Sequence, residues 1–311
     1  MIYTVTPNPA IDITIYIDTL ERGKVNRSRY FLIDAGGKGI NVSKVIKILG
    51  GKSKVLGFLG KENSSWFTKY LQDMKLDFDF VLVEGFTRTN IKIVEEKDKA
   101  YTDLNQNGFE ITEKDKNVLL DKLKTLANPN DIFVLSGSLP SGVKADFYVE
   151  IIRLLKRKGA VVIFDADGAA LKYGLEGNPD ILKPNINELQ SVLTLNEENP
   201  LAIARSAKSL FQKGVKKVLV SMGDKGAVFV TEQISLYSKG IPVEVKSTAG
   251  AGDSMVAAIS YGLSKGMNDE EIFKLAVACA TAKVATEGVK PPTKKEIERF
   301  LKKIKLERLV M

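Results

Sequence analysis

Short apolar runs alternate with segments of helical period along most of the chain, and this rhythm restricts what the chain can fold into. Met1 to Thr6, Lys54 to Leu59, Asp131 to Leu135, Ala160 to Asp165, Asp180 to Lys183 and Lys217 to Ser221 read as strands. Between them, Gly39 to Leu49 carries Ile40, Val42, Val45, Ile46 and Leu49 at helical spacing. Ser64 to Met74, Ala145 to Lys158, a segment starting near Asn185, and Ala202 to Lys213 read as further helices. Repeated β-then-α units predict an α/β fold: a mainly parallel central sheet covered by helices on both faces.

Two regions break the rhythm. Ile11 to Ile17 alternates Ile13, Ile15 and Ile17 with polar positions, and Arg29 to Ile33 follows as a second strand. Asn90 to Val94 and Ala100 to Leu104 form another pair, joined by a charged turn at Glu95–Lys99. Alternation implies one wet face and one dry face. The expectation is a small separate sheet inserted twice, from 11–33 and 87–105, into an α/β core made of 1–10, 34–86 and 106–311. Gly226 to Val230, Ile234 to Tyr237 and Val243 to Val245 read as an antiparallel meander at the edge of the main sheet. From Gly252 onward the chain reads as mostly helical.

Composition narrows the chemistry. The 311 residues include no histidine and a single cysteine, Cys279. Ser-His-Asp and Cys-His catalysis, His-ligated metals, Cys-rich zinc sites and intrachain disulfides are therefore excluded. An acid or base here has to be a carboxylate, lysine, tyrosine or water. Lys plus Arg number 46 against 38 Asp plus Glu, a net charge of +8. That mild excess suits anionic ligands, but it is spread along the chain as on a solvated surface, with no clustered basic face for nucleic acid. The first 17 residues carry no Lys or Arg and are interrupted by Pro7, Pro9 and Asp12, unlike a signal peptide. Ser247 to Ser264, the stretch poorest in charge, contains Asp253 and is too short and polar to span a bilayer. The expected compartment is the cytoplasm.

Familiar nucleotide motifs fail. A P-loop ending at Gly51-Lys52-Ser53 would need Gly where Ile46 stands, and one ending at Gly37-Lys38 would need it at Leu32. A dinucleotide fingerprint from Gly250 would need Gly at Met255. Four other segments carry polar chemistry. Ser247-Thr248-Ala249-Gly250-Ala251-Gly252-Asp253-Ser254 leads into a helix at Met255. Free N–H groups at a helix start make an anion site, and an ionised Asp253 beside it has the geometry of a base for phosphoryl transfer. A capped helix after a glycine turn fits the same residues. Asp34-Ala35-Gly36-Gly37-Lys38-Gly39-Ile40-Asn41 opens another helix, offering Lys38 and Asn41 for recognition or merely a flexible turn. In Lys183-Pro184-Asn185-Ile186-Asn187-Glu188, Asn185 and Glu188 could organise hydrated Mg²⁺ near phosphates, or form a capping box. Ser221-Met222-Gly223-Asp224-Lys225-Gly226 ends a strand and could pass under a nucleotide or form a hairpin turn.

Together and in this order, the motifs resemble the ribokinase-like family, specifically its phosphofructokinase B branch, almost end to end. Thr6-Pro7-Asn8-Pro9-Ala10-Ile11-Asp12 resembles the family's opening strand, although Leu is more usual at Pro7. Gly36 to Asn41 resembles the N-terminal signature, and Ser247 to Ser254 the C-terminal one. The resemblance implies a three-layer α/β/α fold with a small β-sheet lid that also forms a homodimer contact. It implies Asp253 as base, with an anion hole from Gly250, Ala251, Gly252 and Asp253. ATP would meet Ser221, Gly223, Asp224, Gly226, Thr248 and Ala249, with Lys183 and Asn185 near its phosphates and the helix of Cys279 walling the adenine pocket. Glu188 and Asn185 would serve Mg²⁺. Asp12, Gly36, Gly37, Lys38, Asn41 and Ser136 would hold the sugar.

Arg88, in Thr87-Arg88-Thr89-Asn90-Ile91-Lys92, resembles the Arg with which sugar-phosphate kinases grip the existing phosphate. Lys24 and Arg27 add charge in the connection to the small sheet. Gly36 to Val42 and Thr102-Asp103-Leu104-Asn105 look most like 1-phosphofructokinases, with tagatose-6-phosphate kinases very close and 6-phosphofructokinases of the branch next. The expected activity is ATP- and Mg²⁺-dependent conversion of fructose 1-phosphate to fructose 1,6-bisphosphate. A non-catalytic sugar-phosphate sensor on the same fold is the alternative from another class.

Overall fold

The computed structural model describes all residues except Lys99, Asn196, Val289 and Met311. Its strands are β1 (Ile2–Thr6), β2 (Ala10–Ile17), β3 (Tyr30–Gly36), β4 (Lys54–Gly60), β5 (Asp77–Val83), β6 (Arg88–Glu95), β7 (Ala100–Asn105), β8 (Ile132–Ser136), β9 (Val161–Asp165), β10 (Ile181–Leu182), β11 (Lys217–Ser221), β12 (Ala227–Thr231), β13 (Ser235–Ser238) and β14 (Glu307–Arg308). Its α-helices are α1 (Lys38–Ile48), α2 (Ser64–Asp73), α3 (Glu113–Leu126), α4 (Phe147–Arg157), α5 (Gly168–Gly174), α6 (Ile186–Val192), α7 (Pro200–Lys208), α8 (Ala251–Ser264), α9 (Asp269–Val284) and α10 (Lys294–Leu301).

Ten strands form the main sheet, in the order β14-β13-β12-β11-β10-β9-β8-β1-β4-β5. From β11 to β5 every neighbour is parallel, and β12, β13 and β14 add antiparallel edge strands. The fully buried runs of β1, β8 and β12 follow from cover on both faces. One face packs on α3, α4 and α7 through residues such as Leu123, Ile152 and Ile203. The other packs on α1, α8, α9 and α10 through Val45, Val256, Phe273 and Phe300. Each fully buried Leu, Ile or Phe contributes about 1.5–3 kcal/mol, so these two layers dominate stability.

Four elements lie outside the sequence reading, the short strand β14 among them. β5 mixes Asp77 and Asp79 into an edge position, α3 is capped by Thr112 and Asp115 and buries Leu119, Leu120 and Leu123, and α5 is a short helix that buries Leu171. Elsewhere boundaries moved. The helix expected over 145–158 starts at Phe147, and that over 202–213 ends at Lys208 and continues as a tighter turn. The strand expected at Val243–Val245 does not form. Pro242 removes a donor there, the edge of β13 is taken by β14, and the amide of Lys246 bonds to the carbonyl of Val284 at 2.9 Å.

The second sheet has the order β3-β2-β6-β7. The turn read at Glu95–Lys99 joins β6 to β7, with Lys99 itself outside the described residues. Register places Ile33, Ile13, Ile91 and Leu104 in one row across the sheet, and Phe31, Ile15, Ile93 and Thr102 in the next. Because side chains alternate, the opposite face carries Asp34, Asp12 and Asn90 in a row. β3 runs directly into α1, and a buried ion pair braces that junction. Lys44 Nζ on α1 lies 2.5 Å from Asp34 Oδ1 and donates to the carbonyl of Ala35 at 2.8 Å. Lys44→Ala leaves Asp34 buried and unpaired, so a loss of about 3–5 kcal/mol is expected in urea unfolding. The double change Lys44→Met with Asp34→Leu should cost less than the single one.

Candidate functional site

Polar residues collect at the carboxyl ends of the parallel strands, most of them within segments singled out in the sequence. Thr6 ends β1, Ser136 ends β8, Asp165 ends β9, Lys183 follows β10 and Ser221 ends β11. The chain winds outward in opposite directions from β1 and β8, so a crevice opens there, where open α/β sheets bind ligands.

α8 begins at Ala251, four residues earlier than expected at Met255. Gly250 takes a left-handed conformation, φ 79°, which turns the chain into the helix at no steric cost. Its carbonyl accepts the first helical bond, from the Ser254 amide at 3.0 Å, and the Ser254 hydroxyl at 2.8 Å. The Ala251 amide donates back to Thr248 at 3.3 Å, while those of Gly252 and Asp253 stand in the unpaired first turn. A Cβ at Gly252 would lie 3.1 Å from Lys183 Nζ, which measures how closely that lysine approaches the turn.

Asp253 is buried, 6% exposed, and accepts a hydrogen bond from Asn41 Nδ2 on α1 at 2.9 Å. Burial and the nearby Asp165 push its pKa up to about 6, against the Asn41 hydrogen bond, Lys38 and Lys183, which lower it. Asp165 is 1% exposed. Its Oδ1 lies 3.4 Å from Lys183 Nζ and 3.5 Å from Lys38 Nζ, while Oδ2 has no partner among the described residues. Burial lowers the pKa of Lys38, but Asp165, Asp253, Glu188 and Asp167 together raise it. Lys38 therefore sits as a cation between the carboxylates.

Asp12 closes the crevice from the small sheet. Its carboxylate packs so tightly on Gly36 that a Cβ there would fall 1.8 Å from Oδ2. Asn90 Nδ2 donates to Asp12 Oδ1 at 2.9 Å. Burial raises the pKa of Asp12, as does Asp34, while Asn90, Lys44 and Arg88 lower it. Arg88 is half-buried, its Nη2 and Nε donating to the carbonyls of Asn8 at 3.2 Å and Pro9 at 3.4 Å. Gly37 and Gly39 pack against Thr6, and the hydroxyls of Thr6 and Ser136 are buried without partners among the described residues. A cavity of about 110 Å³ is lined by Asp12, Asn41, Ala249, Gly250 and Lys283.

The nucleotide-side candidates form a second group. A bridge joins Asn185 to Ser221, and the Ser221 amide donates to Pro184 at 3.0 Å. Gly223 and Asp224 lie in an exposed turn, and Gly226 pairs so closely with the backbone at Ser238 that a side chain would not fit. Thr248 and Ala249 are exposed at the lip of the crevice. Asn185 and Glu188 make the capping box of α6, each bonding the other's amide at 2.8 Å. Among the described residues no cluster of three or more metal-ligating side chains forms. One or two carboxylates with water and phosphate suffice for Mg²⁺, and the orphaned Asp165 Oδ2 together with Glu188 fits that need.

Two candidates are not brought to the crevice. Lys24 is exposed on the connection between β2 and β3 and pairs with Glu21. Cys279 is fully enclosed in the apolar layer under α9, and burial pushes its thiol far up. Three residues of the site went unread: Asp165, Asn90 and Lys283. Each had a faint signal, an acid closing an apolar strand, a polar step in an alternating strand, and a lone cation in the apolar run Leu275 to Val284.

A model of the pfkB family carbohydrate kinases matches residues 5–296. The chain belongs to that family. It is 35% identical to 1-phosphofructokinase of Escherichia coli K12 over 98% of this chain and 97% of the relative. The fold superposes on phosphofructokinase-2 from Escherichia coli, in complex with fructose-6-phosphate, with a TM-score of 0.89 at 26% identity, covering 97% of this chain and 98% of that one. A ribokinase from Thermotoga maritima, at 24% identity and a TM-score of 0.75 over 97% of this chain and 99% of that one, shares the fold. The chain is thus a carbohydrate kinase, a phosphotransferase of ribokinase-like fold. Kinases of the family use ATP with a divalent metal.

With Asp253 as the proposed base, which must be ionised to accept a proton, kcat/KM should fall as the pH drops through about 6 and level off above it. Asn41→Ala removes a hydrogen bond that favours the carboxylate, and a pH–rate profile should show this limb at higher pH.

Proposed function

We propose that the protein transfers the γ-phosphoryl group of ATP to fructose 1-phosphate, giving fructose 1,6-bisphosphate and ADP. The observation that carries this reading is the Asp253 carboxylate, held by Asn41 at the unpaired N-terminal turn of α8. The carboxylate takes the proton of the attacking sugar hydroxyl as its oxygen bonds to phosphorus and the bond to ADP breaks. The amides of Gly252 and Asp253, with Lys38 and Lys183, face the charge that develops on the transferring group. Mg²⁺, when bound, neutralises the nucleotide phosphates, and Asp165 and Glu188 would hold its water shell.

The small sheet supplies Asp12 and Arg88, so its position over the crevice suits a lid that excludes water. Asp12 and Asn90 offer hydrogen bonds to sugar hydroxyls, and Arg88 offers a fork for the existing phosphate. The 35% identity to a 1-phosphofructokinase favours fructose 1-phosphate. The likeness to a phosphofructokinase-2 solved with fructose-6-phosphate makes that ketose phosphate the competing substrate. Among the described residues no helix is long and apolar enough to cross a membrane.

ADP release with ATP and Mg²⁺ should be fastest, by kcat/KM, with fructose 1-phosphate in a panel including fructose 6-phosphate, tagatose 6-phosphate, fructose and ribose. Asp253→Asn should lower kcat by about 10²–10⁴-fold. Tight sugar-phosphate binding with no turnover in the wild type would instead indicate a sensor. Arg88→Met should raise KM for the sugar phosphate about 10–100-fold, from the roughly 1.5–3 kcal/mol of a charged contact, with a smaller effect on free sugars.

The apolar rows of Phe31, Ile33, Ile15, Ile93 and Leu104 leave Phe31 58% and Leu104 53% exposed. A patch of this kind marks an interface, and a homodimer through this sheet is the partner it suits. Sedimentation should give a dimer for the wild type and a monomer for Ile15→Asp.

A further inference from the structure

Lys283 belongs to none of the motifs, yet its side chain ends in the crevice. It sits in the last turn of α9, whose neighbouring side chains are apolar, and is 3% exposed. Its Nζ donates to the carbonyl of Gly288 at 2.7 Å. Its stem runs along the anion turn: a Cβ at Gly250 would lie 3.4 Å from Lys283 Cε and 3.9 Å from Asp253 Oδ2. It lines the same cavity as Asp12, Asn41 and Gly250.

A buried ammonium is costly, and an apolar residue of similar volume would pack there without that cost. Its presence calls for a gain elsewhere. The charged groups around it are Asp253 from α8, Asp34 from β3, and Lys44 and Asp12, which line the same cavity from α1 and β2. The helix dipole at the end of α9 also favours a cation. The segment it binds reaches the small sheet, since a Cβ at Gly288 would lie 3.8 Å from the Tyr16 hydroxyl. Burial, then Tyr30, Glu287 and Glu96 raise the pKa of Tyr16, so its hydroxyl stays neutral.

We propose that Lys283 is a positioning residue for phosphoryl transfer: its fixed ammonium ties the Gly250–Asp253 turn to the segment after α9 and favours the ionised form of Asp253. This rests on the reading of Asp253 as base. The ammonium is held by the Gly288 carbonyl and its stem lies along the turn, so it steadies the base and the anion hole as part of the cavity wall. Burial lowers its own pKa to about 8, against Asp253 and Asp34, which raise it. The charge is therefore present at neutral pH and is lost as the pH rises through about 8.

Two variants separate charge from packing. Lys283→Met keeps the stem without the charge, and Lys283→Gln keeps a donor for Gly288 without the charge. The wild type should show kcat/KM falling above pH about 8. In both variants kcat should fall about tenfold or more while KM for the sugar phosphate changes less than about threefold. Their acidic limb should move to higher pH and their alkaline limb should vanish. An unchanged kcat, or a lowered kcat with both limbs in place, would overturn the proposal and leave Lys283 a packing residue. The Asp253 carboxyl is also followed by ¹³C NMR, assigned through Asp253→Asn, in wild type and whichever variant folds. A higher titration midpoint without Lys283 supports the coupling, and an unmoved one overturns it. If the wild type turns over no sugar phosphate, the kinase reading of Asp253 fails by itself, and the NMR titration still decides the part played by Lys283.

Discussion

Two carboxylates that repel one another, Asp165 and Asp253, are held in the dry crevice at the carboxyl edge of the main sheet. Neither burial nor mutual repulsion favours two negative charges there. The arrangement persists because Lys38 and Lys183 lie against Asp165 and also act on Asp253, to which Asn41 donates. The compensation is incomplete. One oxygen of Asp165 and the hydroxyls of Thr6 and Ser136 lack partners among the described residues. A site that buries polar atoms without satisfying them is arranged for something that arrives later, and phosphate oxygens with a divalent cation have the complementary charges.

The parallel sheet makes this convergence possible. Successive parallel strands end on the same edge, so residues as distant in sequence as Thr6, Ser136, Asp165 and Ser221 meet without any local instruction to do so. The small sheet solves a different problem. Its two faces differ by strand parity alone, so one face gathers Asp12, Asp34 and Asn90 over the crevice and the other gathers isoleucines. A shift of one residue in register would exchange them. The Asp34–Lys44 pair at the junction of β3 and α1 anchors the polar face to the core, linking lid geometry to the helix that carries Lys38 and Asn41.

Much of this was legible before any coordinates. The alternation of Ile13, Ile15 and Ile17 predicted a half-wet sheet, and Gly250 to Gly252 predicted a glycine turn opening a helix with Asp253 at its start. Local chemistry carried both, because glycine conformation, first-turn amides and alternation depend on neighbours in sequence. Asn185 and Glu188 show the limit of such reasoning. The same residues fit a metal site and a capping box, and the structure shows the box, with Glu188 close enough to act on Lys38 as well. The meander strand at Val243–Val245 failed because pattern alone cannot see that β14, some sixty residues later, occupies the same edge.

The sequence by itself determined the α/β class, the two glycine turns and the exclusion of histidine catalysis and intrachain disulfides, since each depends on residue type and local spacing. Tertiary structure decided the rest. It brought Asp165 near Asp253, turned Arg88 onto the carbonyls of Asn8 and Pro9, kept Lys24 outside, buried Cys279 in the core, and carried Lys283 alongside the turn at Gly250. Those outcomes depend on distances between elements far apart in the chain. The pKa of a carboxylate or an ammonium answers to whatever the fold places within a few ångströms, which no local pattern encodes.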